Sequence, residues 1–409
     1  MSNMSTHECK RIARLSAVGA ALGVFALQAL AQSQPWYIGA QQRFEHQTNV
    51  FGTSAGQVSD TVSSTSLLAG IDQTIGRQRL FGSVVAGANR YQNRSDLNHD
   101  TYSLRLGVDW ETAGRLSGNV TADASQSMAD FNPIGLAGTT TNNATRTNGL
   151  SGVVRVGVVT RLTAEVGGAT RRTRFDNAAY QIRNVNIDEL YGAVKYRPAG
   201  SLVLGVGLRT TRGEYPNFRL PATGVYTPEG FDRNNVDLTA AWPISGASRV
   251  DARLSFGRDR YDTLTARDFS GATGALTWRW QPSGRTAVTT AFVRSTGDDT
   301  TLTTVPGQVP YATSATRVQN LLGTAVDYEL TGKIKVRAGL SAQETSAIDL
   351  LRSTTTSEFV STATLGLVWE ATRAIRAGCD LTFRNRASRS GVEGYDASVI
   401  GCFGEFVLR

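Results

Sequence analysis

The sequence predicts an all-β fold: a transmembrane antiparallel β-barrel of the outer-membrane kind, with about 18 strands (16 to 18). Three observations predict it. Segments of roughly ten residues alternate apolar and polar side chains from the end of a leader to the last residue. Very short turns take turns with longer polar loops between those segments. The tryptophans gather beside the short turns or at the start of the mature chain.

The alternation is plain in Tyr102 to Trp110. Tyr102, Leu104, Leu106, Val108 and Trp110 fall on one face, and Ser103, Arg105, Gly107 and Asp109 fall on the other. Leu202, Leu204, Val206 and Leu208 alternate in the same way with Val203, Gly205, Gly207 and Arg209, as do Ile334, Val336, Ala338 and Leu340 with Lys333, Lys335, Arg337 and Gly339. An arginine pointing into lipid at mid-membrane costs roughly 2–4 kcal/mol. Arg209 and Arg337 must therefore point to an aqueous interior, and the two-residue period then sets the facing of every neighbour.

Residues 1–31 read as a secretory signal peptide. Lys10, Arg11 and Arg14 form its basic region, Leu15 to Leu27 its apolar stretch, and Ala29-Leu30-Ala31 a small-x-small site for cleavage after Ala31. The remainder, 32–409, has no composition break and reads as one barrel. No run of eighteen apolar residues follows the leader, which excludes helical membrane spans. Formal charge is +8; the leader carries three basic residues against Glu8, which leaves the mature chain near +6. The basic residues are dispersed along strands rather than clustered among stacking aromatics, so no nucleic-acid partner is expected.

Short connections are expected at Ile75-Gly76-Arg77, Thr112-Ala113-Gly114, Thr160-Arg161, Pro198-Ala199-Gly200, Pro243 to Ala247, Gln281 to Gly284, Thr331-Gly332 and Ala371-Thr372-Arg373. Longer polar loops are expected at Thr48 to Ser59, Phe131 to Ala144, Tyr215 to Phe231, Asp298 to Ala315 and Ala347 to Thr356, with shorter ones near Arg94, Asp176, Thr263 and Arg389. Short periplasmic turns and long external loops place both termini on the periplasmic side. Trp36, Trp110, Trp242, Trp278, Trp280 and Trp369 then form a periplasmic aromatic girdle at headgroup level.

Of the three cysteines only Cys379 and Cys402 lie beyond the leader. A hairpin symmetric about Ser390-Gly391 sets Cys379 opposite Cys402, within disulfide reach, and the periplasm is oxidising. The expected cross-strand disulfide stands against the alternative of two free, lipid-facing thiols.

Little else suggests covalent chemistry. His99-Asp100 and Asp298-Asp299 resemble the acidic and His-Asp pairs of omptin-like barrel proteases, but such dipeptides in polar loops arise readily by coincidence. No enzyme activity, cofactor or metal is expected. The lumen remains. Pore-lining candidates are Arg105, Arg155, Arg209, Arg253, Arg279, Arg337, Asp109 and Asp251. Inward acids and bases nearly balance, which suits either cross-strand pairing that stiffens the wall or a polar track for a hydrated solute.

Asn89-Arg90-Tyr91-Gln92-Asn93, Trp110 to Gly118 (WETAGRLSG), Tyr196-Arg197-Pro198-Ala199-Gly200, Arg212-Gly213-Glu214-Tyr215-Pro216-Asn217 and the earlier Asn49-Val50-Phe51 together resemble EpsL-type exopolysaccharide outer-membrane proteins of exosortase-associated gene clusters. The resemblance implies a barrel in the outer membrane, among its lipids, that takes part in exopolysaccharide biosynthesis and export. It implies passive conduction of the exopolysaccharide, with periplasmic polysaccharide-export proteins as partners. The alternative expectation is a general diffusion porin or small-solute outer-membrane transporter.

Overall fold

The computed structural model of the chain describes residues 34–409, except 134–137, 158–160, 199–200, 220–225, 264, 297–315, 350–353 and 390–391. The strands are β1 (Trp36–Gln47), β2 (Asp60–Ile75), β3 (Gln78–Tyr91), β4 (His99–Glu111), β5 (Leu116–Met128), β6 (Ala144–Val156), β7 (Leu162–Phe175), β8 (Val185–Tyr196) and β9 (Val203–Arg219). They continue as β10 (Thr227–Ser245), β11 (Ser248–Tyr261), β12 (Phe269–Ser283), β13 (Thr286–Ser295), β14 (Thr316–Glu329), β15 (Ile334–Asp349), β16 (Thr354–Glu370), β17 (Ile375–Ala387) and β18 (Tyr395–Leu408). Each pairs antiparallel with its sequence neighbours, and β1 also pairs with β18 from Ile38↔Leu408 to Gln47↔Val399, so the 18-stranded sheet closes on itself. Closure leaves no free sheet edge, which is what a strand-built structure needs in hydrocarbon. Among the described residues no helix is long and apolar enough to cross a membrane; the chain crosses with strands.

The alternation holds around the wall. Leu106, Val166, Leu190, Leu208, Phe256, Leu322, Leu340 and Leu365 are exposed on the outside, although water would not tolerate such a belt. The intervening positions face inward and carry the charges. The six tryptophans all lie toward the short-turn ends of their strands; Trp36, Trp242 and Trp369 are about half exposed, and Trp278 and Trp280 stack with ring centroids 5.6 Å apart. Gly76, at φ 63°, makes the two-residue turn between β2 and β3, a left-handed conformation that side chains other than Gly rarely adopt.

Several strands run further than the sequence suggested. Pro243 and Gln281 lie within β10 and β12, so those turns shrink to Gly246-Ala247 and Gly284-Arg285. Pro243 is accommodated because a register shift between Pro243 and Ser245 marks the end of regular pairing there. The described parts of the expected loops 215–231 and 347–356 are almost entirely strand. Both are polar, yet their strands extend beyond the apolar belt, where outward side chains meet headgroups and water. Thr160, Ala199, Gly200, the leader with its cleavage site, and Asp298 to Ala315 lie outside the described residues.

Cys379 and Cys402 are directly opposed on β17 and β18 and are joined by a disulfide, with Cα atoms 4.0 Å apart. Both side chains face outward, beside Leu367 on β16 and Phe44 on β1. Loss of this bond in C379S/C402S should lower stability by about 3 kcal/mol if the gain is the entropy removed from a loop of this length. The expected readout is a lower denaturant midpoint for the variant, with both thiols of the unmodified protein resisting alkylation until reductant is added.

Candidate functional site

The site is the lumen, and the wall is built first. Inward arginines and acids pair across strands in nearly every sector. Glu165 on β7 accepts Lys195 of β8 at 2.8 Å and lies 3.5 Å from Arg155 of β6. Arg209 on β9 reaches Asp237 of β10 at 2.9 Å and Glu189 of β8 at 3.3 Å, with its side chain only 2% exposed. Arg233 pairs with Asp259 at 2.7 Å. Asp251 sits between Arg249 and Arg279, both at 2.7 Å. Asp109 meets Arg79 at 3.3 Å, Arg337 pairs with Asp327, and Arg376 with Glu405. Arg105 opposes Asp123 in register, and Arg253 shares the inward face of β11. All eight pore-lining candidates thus fall on the inward face, but the ion pairs tie most of them to the wall.

One pairing skips a strand. Arg43 of β1 crosses β18 to grip Asp380 of β17 with two bonds of 2.6 and 2.8 Å. It crosses at Gly401, where a Cβ would lie 2.3 Å from the guanidinium. Only glycine leaves that path open.

The outer mouth is arranged differently, and sequence reasoning missed it. The segment after β5 turns inward. Phe131 is buried edge-on against Phe51 of the β1–β2 loop, with centroids 5.1 Å apart, and packs with Val50 and Leu97. Its backbone carbonyl accepts the Tyr180 hydroxyl at 3.2 Å, and the next carbonyl, of Asn132, accepts Arg386 at 2.7 Å. The Asn132 amide donates to the carbonyl of Gly52 at 2.7 Å. Arg386 belongs to β17, six strands from β5 around the closed sheet, so these bonds form a chord across the mouth. Arg386 also lies 4.6 Å above the Tyr395 ring and 3.8 Å from Glu358.

Tyr180 and Arg183 come from a short 3-10 segment, Ala178–Arg183, between β7 and β8. Asn177 caps it by accepting the Ala179 N–H at 3.0 Å. Ile182 seats it on an inward apolar cluster of Val185, Ile187, Tyr215, Phe218, Phe231 and Tyr261. Arg267 covers that cluster, 4.5 Å from the Tyr261 ring and 5.0 Å from Tyr215. Burial pushes the Tyr180 phenol up to about 12 and pulls the Arg183 guanidinium down to about 10; Asp130 and Glu358 lie close enough to oppose the pull on Arg183. A signal for this segment was present: Tyr180 and Ile182 are out of place in a solvated loop.

His99 and Asp100 do not form a catalytic pair. His99 turns inward and holds the Leu97 carbonyl and the Asn89 amide, while Asp100 turns outward to Arg90 at 3.1 Å. Among the described residues no group of three His, Cys, Asp or Glu side chains could hold a metal ion.

No family model and no curated protein matches the chain. Solved structures do. OccK2 (OpdF) of Pseudomonas aeruginosa is similar at 12% identity and a TM-score of 0.50, over 91% of this chain and 98% of that one. OccK9 (OpdG) of the same organism follows at 11% and 0.47, and its outer membrane protein OpdK at 12% and 0.45, both with coverages of 91% and 98%. The fold is that of an outer-membrane porin. The chain thus shares the architecture of outer-membrane barrels, and identity this low carries architecture rather than substrate.

The expectation of polysaccharide export is overturned here. OccK2, which shares the architecture, is a porin of the OccK/Opd kind, and a folded-in segment crosses the mouth where a polymer would need a clear bore. The exopolysaccharide and the periplasmic export proteins fall away with it as expected partners. The segments that carried the resemblance are structural: Asn89 to Asn93 ends β3, Trp110 to Gly118 makes the β4–β5 turn, and Arg212 to Asn217 lies in β9.

Proposed function

We propose that the barrel is a passive outer-membrane channel for small hydrophilic solutes, lined by Arg105, Arg155, Arg209, Arg253, Arg279, Arg337, Asp109 and Asp251 and narrowed at its outer mouth by the Phe131-Asn132 segment. The proposal includes delivery by a leader removed after Ala31, and it needs neither covalent chemistry nor a bound cofactor. The observation that carries it is the chord from Phe131 and Asn132 to Tyr180 and Arg386 above a wall of balanced charge. A ring of fixed charges of both signs favours hydrated, polar solutes and gives only mild preference for one sign of ion. Selection by size then falls to the mouth.

Planar-bilayer recording of the purified barrel, with liposome swelling by sugars of increasing size, is the test. Discrete conductance and uptake that falls from mono- to oligosaccharides are expected. A barrel that passes no ions, or admits large oligosaccharides as readily as monosaccharides, ends the proposal.

A further inference from the structure

The outward-facing positions change character abruptly toward the loop end of the barrel. On β11 exposed Phe256 is followed at the next outward positions by exposed Arg258 and Arg260; on β13 Phe292 is followed by Arg294. On β7 the belt residue Val166 leads through Gly168 and Thr170 to Arg172 and Arg174, and on β6 Leu150 leads back through Asn148 to Arg146. Arg146 and Arg174 are opposed in register. Arginines therefore begin on this arc where hydrocarbon-facing side chains end.

Carboxylates share the arc and answer part of this charge. Asp176 takes Arg146 at 2.7 Å, Asp232 takes Arg212 at 3.2 Å, and Asp188 and Glu214 are exposed beside them. Arg174 is held by Asn186 at 2.6 Å, and Arg294 by Asn320 and the Ala272 carbonyl. Among the described residues Arg172, Arg258 and Arg260 have no ion pair and no side-chain hydrogen bond. The opposite arc differs: at the same end β15 to β18 present Glu344, Asn385 and Asp396, and Arg389 there is committed to Glu344 at 3.5 Å.

We infer that the arginine arc on β6, β7, β11 and β13 binds the phosphorylated sugar headgroups of outer-leaflet glycolipids. The occupant follows from the level and the chemistry. Guanidinium groups bracket phosphate oxygens with paired N–H donors, and basic side chains at headgroup depth are drawn to anionic lipid. Small residues between the arginine-bearing strands β11 and β13, namely Ser270 and Ala272, leave room for a headgroup, while Phe256, Leu276 and Phe292 below would carry its acyl chains.

The test is native mass spectrometry of the intact barrel with diphosphorylated lipid A and its dephosphorylated counterpart. The unmodified protein should retain the phosphorylated form far better, and R172S/R258S/R260S should lose that preference by about ten- to a hundredfold. Asp396→Asn on the opposite arc should change nothing, and channel conductance of the triple variant should match the parent, which separates this inference from the channel reading. Equal retention of the two lipids by the unmodified protein overturns it, a result that stands even if the triple variant does not fold. So does unchanged preference in the variant, or displacement of the lipid by millimolar inorganic phosphate, which would mark a site for free anions.

Discussion

Arg209→Ala is expected to be the most damaging single substitution in the wall, at about 3–5 kcal/mol of stability. Its guanidinium is 2% exposed and lies between Glu189, 3% exposed, and Asp237, 15% exposed. Removal leaves two carboxylates facing each other with little water to screen them. A triple change, R209M with E189Q and D237N, should recover most of the loss, because it removes the charges together instead of stranding them. Arg337 supplies the contrast. It pairs with Asp327 in the same cross-strand manner, but the two side chains are 41% and 47% exposed. Arg337→Ala should cost no more than about 1 kcal/mol. Denaturant midpoints in lipid vesicles check both; equal losses at the two sites would mean that burial does not set the strength of these pairs.

Arg386→Ala is expected to loosen the mouth. The bond to the Asn132 carbonyl is charge-assisted and 2.7 Å long, and such a bond is worth about 1.5–3 kcal/mol. Losing it shifts the balance between a seated and a released Phe131-Asn132 segment by about ten- to a hundredfold. Single-channel records should then show longer or larger openings, accompanied by a loss of stability, because Glu358, 6% exposed, is left without its buried cation. Arg384→Ala, which removes a 3.9 Å contact to Asp130 and a 5.8 Å approach to the Tyr395 ring but no hydrogen bond to the segment, should have a much smaller effect. Identical gating in Arg386→Ala and the parent would mean that the segment does not control passage.

The barrel was legible because it is dictated locally. A two-residue period, Gly-rich short turns and tryptophans at one level each reflect the solvent on either side of a single strand, and each can be read without knowing the strand's partner. The disulfide was legible for a similar reason, since a hairpin's register follows from its turn, and Cys379 and Cys402 are indeed opposed. Strand length was not. Tyr215 to Phe231 reads as loop because the outward residues that flank it, Arg212, Glu214 and Asp232, are polar, while its inward aromatics Tyr215 and Phe231 pack inside the mouth. A strand that leaves the hydrocarbon stops reporting its fold by hydropathy.

The mouth was the least legible part. Asp298 to Ala315, the longest of the expected polar loops, lies outside the described residues. The segment that does fold inward is held by contacts from Phe131 to Tyr180 and from Asn132 to Arg386, more than 40 and 250 positions apart. Nothing within the segment itself specifies those partners. Function suffered the same way: strand ends and turns that resemble one group of barrels describe how the wall is built, whereas the traffic it admits depends on where one loop comes to rest.

The seam between β1 and β18 carries a consequence for how this protein is made. Ten register pairs join the first strand to the last, so no partial polypeptide can complete the cylinder. Until synthesis ends, β1 must wait with half its hydrogen-bonding groups unanswered. The cystine between β17 and β18 fixes the register of the final two strands, so that once oxidised they meet β1 as one prepaired ribbon.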